Sequence, residues 1–81
     1  MKSKAAKKIS PAFAVEFDRE SDGRWIAEIP RLPGVMAYGA TRSDARRKVS
    51  AIALRTLANA VEEGTIPTAV SRLFSYGVAS R

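Results

Sequence analysis

Two hydrophobic periods meet at Gly39-Ala40-Thr41, and together they leave few folds open to this chain. Upstream, Phe13, Val15 and Phe17 alternate with Ala12, Ala14, Glu16 and Asp18. Period two with a polar face is the pattern of a half-buried strand. Downstream, Ala45, Val49, Ile52, Ala53, Leu57 and Ala60 recur at steps of three and four, which predicts an amphipathic helix of about six turns. Neither a sheet face nor a helix stripe is stable against water alone, so the two must cover one another in a two-layer α+β sandwich.

Local signals set the order of elements. Asp22-Gly23 offers the positive φ angles of a tight hairpin, so residues 24–29 (RWIAEI) should return antiparallel to the first strand. That strand places Trp25, Ala27 and Ile29 on one face, with Ile26 and Glu28 on the other. Pro30 has no N–H to donate and ends the ladder. Pro33-Gly34 fits a type II turn, after which residues 35–38 (VMAY) make a short third strand that Gly39 breaks. Thr41-Arg42-Ser43-Asp44 has the form of a capping box with aspartate in the acidic position. Gly64 is the expected C-terminal cap, and Pro67 bars continuation. Residues 70–78 (VSRLFSYGV) suit a fourth strand, weakened by Gly77. The expected fold is therefore β-β-β-α-β: an antiparallel three-strand meander, one long helix packed on it, and a fourth strand.

On a helical wheel Leu54 and Val61 widen the apolar arc to about 200°, twice the stripe needed to cover one sheet. Either the C-terminal segment covers the excess, or a partner or a second copy of the chain packs there. A homodimer is the expectation, since a domain of this size buries a thin core.

Composition removes whole classes of function. The 81 residues make one domain, expected over 11–81, behind a flexible basic tail over 1–10. The net charge of +6 is mostly that tail: Lys2, Lys4, Lys7 and Lys8 are four of the fourteen cations, leaving ten against eight carboxylates. There is no cysteine and no histidine, hence no disulfide scaffold, no thiolate metal site and no imidazole base. No 18-residue apolar run and no signal-peptide pattern occur, so a cytoplasmic protein is expected. Glu16 and Asp18 share a strand face and could hold a metal with a third carboxylate, but a solvated strand face explains them more simply. No hydroxyl nucleophile has a base beside it, and the glycines are isolated. Catalytic residues, cofactors and metal ligands are therefore not expected. Nucleic-acid binding is the alternative, through Lys4, Lys7, Lys8, Arg47 and Lys48, with Trp25 and Tyr38 available to stack on bases. Against it, Arg47 and Lys48 project about 100° apart on the helix.

The order F-x-V-x-F-D, D-G-R-W-I-A-E-I-P, R-L-P-G-V and G-A-T-R-S-D-A, followed by E-E-G-T-I-P over 62–67, resembles the HicB-like antitoxin family across residues 13 to 67. The resemblance implies a partial RNase H-like fold. It also implies an antitoxin of a type II toxin–antitoxin system, which neutralises a small HicA-type mRNA-cleaving toxin by covering its active site. A solitary family member without a toxin is the other possibility. Many members carry a C-terminal operator-binding module. Fourteen residues follow Pro67 here, too few for one, so DNA binding by this chain alone is not expected. Two positions depart from the family pattern: its acidic turn residue is Arg31, and the aspartate of its helix entry is Ala40. Both changes reduce the negative charge offered to a basic toxin. Trp25, Arg31, Met36 and Tyr38 are the expected partner-binding residues, aromatics, methionine and arginine being enriched at interfaces.

Overall fold

In a computed structural model that describes residues 13–75 and Gly77, three short strands form an antiparallel meander. They are β1 (Glu16–Arg19), β2 (Trp25–Glu28) and β3 (Met36–Gly39), in spatial order β1-β2-β3. Helix α1 (Arg42–Glu62) lies across β3 and β2 on one face, and a single turn, α2 (Thr68–Ser71), follows. The chain is thus α+β in two layers. The basic tail over 1–10 lies outside the described residues.

The β1–β2 hairpin is one residue longer than the tight turn expected. Glu20 N–H donates to the Arg24 carbonyl at 2.8 Å, and Gly23 N–H donates to the Glu20 carbonyl at 2.9 Å. Ser21, Asp22 and Gly23 therefore form a three-residue loop, a β-turn closed by Gly23 at φ 93°, whose twist suits the strands it joins. Between β2 and β3 the segment Ile29–Val35 makes two turns in succession. Leu32 N–H bonds the Ile29 carbonyl and Val35 N–H bonds the Leu32 carbonyl, both at 2.9 Å, while Ile29 N–H bonds the Val35 carbonyl at 3.1 Å. Gly34 takes φ 86° at the position that a type II turn demands. The two prolines thus sit where no ladder bond is lost, and the corner closes on itself.

Both ends of α1 are capped as its sequence suggests. Thr41 Oγ1 accepts the Asp44 N–H at 2.9 Å, while Asp44 Oδ2 reaches back to the Ala40 N–H at 3.3 Å. At the far end Thr65 N–H bonds the Ala60 carbonyl and Gly64 N–H bonds the Val61 carbonyl. With Gly64 at φ 93° this is a Schellman motif, which satisfies carbonyls that the helix leaves open.

The fourth strand expected over 70–78 does not begin where its residues suggested. Val70 and Ser71 are helical in α2, because Pro67 starts a new turn by accepting the N–H groups of Val70 and Ser71. Tyr76 and Val78 lie outside the described residues.

The core is built from small side chains. Ala27, Ile29, Val35, Ala37, Ala45, Val49 and Ala53 are buried together, ringed by Phe13, Val15, Phe17, Trp25, Leu32 and Ile52. Gly39 belongs to this interface. A Cβ there would lie 2.8 Å from the Ala45 Cα and 2.9 Å from the Asp44 carbonyl carbon. The expected strand breaker is instead the last residue of β3, and its lack of a side chain is what lets α1 settle against the strand.

Candidate interaction surface

Only one sheet face is covered by α1, so the other presents its side chains to solvent. The register places Glu16 opposite Glu28 and Glu28 opposite Met36, and likewise Asp18 opposite Ile26 and Ile26 opposite Tyr38. Two cross-strand rows result, and successive strand residues point to opposite faces. Three carboxylates, an isoleucine, a methionine and a tyrosine therefore share the outer face. Met36 is 41% exposed and Tyr38 40%. The opposed Glu16 and Glu28 are like charges on facing strands, an arrangement that costs stability.

Tyr38 is held in place by its neighbours. Asp22 accepts the Arg24 N–H at Oδ1, 3.1 Å, and pairs with Arg24 Nε at Oδ2, 2.8 Å. The Arg24 guanidinium in turn sits 4.4 Å from the Tyr38 ring centroid, a cation–π arrangement that fixes both groups. One face of the ring is thereby occupied, which leaves less of Tyr38 for stacking on a base.

The four residues expected to contact a partner separate into three places. Met36 and Tyr38 lie together on the outer face. Trp25 points to the helix side, half-buried against the core, with the Arg19 guanidinium 5.0 Å from its ring centroid. Its alternation with Ala27 requires this, so Trp25 contributes to the rim of the core and not to the Met36–Tyr38 surface. Arg31 is exposed in the double turn, 5.9 Å from the Phe13 ring centroid. Glu16, Asp18, Ile26 and Glu28, which residue type alone does not single out, share the outer face with Met36 and Tyr38. The signal that groups them is the strand register, which hairpin length determines and alternation alone does not.

The cationic set is divided too. Lys4, Lys7 and Lys8 lie outside the described residues. Arg47 Nη2 bonds Asp44 Oδ1 at 2.7 Å and Lys48 Nζ lies 3.2 Å from Asp44 Oδ2, so one carboxylate engages both helix cations proposed for phosphates. Arg42 lies over Phe17, 4.5 Å from the ring centroid, and lines a shallow cleft with Ser43 and Arg46.

The bonds from Arg47 and Lys48, with the Ala40 N–H, hold the Asp44 carboxyl below its usual range. Asp22 is lowered likewise, chiefly by the Arg24 backbone N–H. A folded-state pKa below the unfolded one makes stability complete above the ordinary aspartate value and lost as pH falls through the depressed one. The urea midpoint should therefore decline as pH drops below about 4. Asp44→Asn should lower the midpoint at neutral pH and flatten that decline; an unchanged slope in the variant would sever Asp44 from the effect.

Among the described residues no group of three or more His, Cys, Asp or Glu is placed to hold a metal ion, and no helix is long and apolar enough to cross a membrane. Comparison of the chain with protein-family models, with characterised proteins and with solved structures finds none that matches it.

Proposed function

We propose that this chain is a non-catalytic binding protein of the antitoxin type, HicB-like, that docks a small basic ribonuclease on the outer face of its sheet. The observation that carries the reading is that face: Met36, Tyr38 and Ile26 form an apolar centre beside Glu16, Asp18 and Glu28. An apolar centre supplies binding energy, while carboxylates beside it steer and select a cationic partner. The opposed Glu16 and Glu28 support the same reading, because a cation placed between them relieves a repulsion that the free protein carries. The order of hairpin, double turn and capped helix agrees with the motifs that resemble the family.

The test is recovery from native lysate with this chain as bait, washed at moderate and at high salt, the retained protein then being assayed for RNA cleavage. A small basic ribonuclease should remain through the high-salt wash, and added bait should inhibit it. Met36→Asp should weaken that retention by about 30-fold or more, the scale of an interface hot spot. Glu16→Lys should also weaken it, while raising the stability of the free chain by about 0.2–1 kcal/mol. Recovery of nucleic acid alone, and only at low salt, would overturn the reading in favour of phosphate binding.

A further inference from the structure

Helix α1 is about 31 Å long at 1.5 Å per residue, against strands of four residues. Its buried positions, Ala45, Val49 and Ala53, all fall in the first twelve residues. The last turns carry a second apolar face, where Leu54, Leu57, Ala58 and Val61 line a groove completed by Val70, Leu73 and Phe74 of the α2 segment. Val70 is buried there, yet Leu54 is 66% exposed, Leu73 71% and Phe74 60%. Side chains of this size exposed side by side are uncommon on a monomer and mark an interface.

We infer that this groove is the seat of a second copy of the chain, the two α1 helices crossing antiparallel about a two-fold axis near Leu57 and Ala58. Leu54, Leu57 and Val61 follow the spacing of a helix–helix seam. An antiparallel two-fold brings Leu54 of one copy to Val61 of the other and sets Leu57 against Ala58. The flanks decide in favour of a second copy over an unrelated partner. Arg55 and Glu62 stand seven residues apart beside the seam, so they share one flank. A two-fold axis of this kind brings that flank against itself with its direction reversed, so Arg55 of each copy comes within reach of Glu62 of the other. A surface that neutralises its own charges when rotated onto itself is isologous by construction. The interior argues the same way: among the described residues, four of the seven in the buried core cluster are alanines. Each contributes little apolar area, so further burial on association is where such a short chain gains stability. The groove lies on α1 and α2 and uses none of the outer-face residues.

Sedimentation equilibrium of the full chain tests this without any toxin. The wild type should sediment as a dimer at tens of micromolar. Leu54→Asp should weaken association by about 100-fold or more, since the change enters the seam twice, while far-UV circular dichroism stays unchanged because Leu54 is exposed. Arg55→Glu should weaken association about 5- to 30-fold by placing carboxylates on both sides, and Arg55→Glu with Glu62→Arg should restore it to within about 3-fold. A wild-type monomer at about 200 µM overturns the proposal, whether the groove takes up the chain's own C-terminal residues or another protein. A dimer indifferent to Leu54→Asp and to the charge exchange overturns it equally.

Discussion

Gly39→Val should leave the chain unfolded at room temperature, and Gly39→Ala should cost about 1–3 kcal/mol or somewhat more, the range for overpacking a close-packed site. The reason is space. A β-carbon at Gly39 meets main-chain atoms of Asp44 and Ala45, and Ala45 is fully buried at the start of α1. Main-chain atoms cannot rotate aside as a side chain can. The first turn of α1 would have to lift from β3, taking Ala45 and then Val49 away from Ala37. For a domain of this size the whole folding free energy is only about 5 kcal/mol, and valine adds two more methyl groups to the same clash. Gly34→Ala is the control. Its β-carbon would meet nothing within 4 Å, and only the positive φ of 86° is against it, a penalty of about 1–2 kcal/mol. Urea unfolding followed by circular dichroism ranks the three variants. A Gly39→Val chain as stable as Gly34→Ala would mean that α1 slides along the sheet and does not depend on this contact.

That contact shows where reading the residues in order succeeds and where it stops. Alternation in Phe13, Val15 and Phe17, and in Trp25, Ala27 and Ile29, gave the sheet its two faces correctly, because strand geometry has a strict period of two. Thr41, Asp44 and Gly64 marked the helix ends to within a residue, because caps are local chemistry. Gly39 was misread because glycine near a strand end carries two meanings, a break or a close approach, and only the position of Ala45 in space separates them. Val70 and Ser71 were misread because a short apolar run has no period long enough to separate strand from helix.

The candidate surface was half legible for a related reason. Met36 and Tyr38 are both exposed and both on the outer face, as two residues at strand spacing must be. Trp25 was grouped with them by residue type, and its own strand alternation already placed it with Ala27 and Ile29. The acidic neighbours depend on registration between strands. That is fixed by the three-residue loop at Ser21-Asp22-Gly23, and one residue fewer would have moved Glu16 away from Glu28. The apolar excess at Leu54 and Val61 was visible on the helix alone. How much of it remains open depends on where α2 comes to rest.

Val49→Asp should abolish folding at neutral pH, whereas Leu54→Asp, five residues along the same helix, should leave the fold intact. Among the described residues Val49 is the largest side chain to be fully enclosed, between the sheet and the neighbouring turns of α1, and no polar or charged side chain is buried with it in the hydrophobic cluster. A carboxylate there would lose its hydration and find no partner, a cost of several kcal/mol that exceeds what the domain has in reserve. Protonation is the only relief, so burial would push the carboxyl well above the usual aspartate range. The linkage then runs opposite to that of Asp44. With a folded-state pKa above the unfolded one, such a variant keeps what stability it has below about pH 4 and loses it as pH rises. Circular dichroism from about pH 3 to pH 7 should therefore show helix signal falling with pH in Val49→Asp, while the wild type gains stability over the same interval. Val49→Ala, which removes two methyl groups and adds no charge, should cost only about 1.5–2.5 kcal/mol and show no such reversal. If Val49→Asp remained folded at neutral pH, water would have to reach Val49, and α1 would not be seated on the sheet as described.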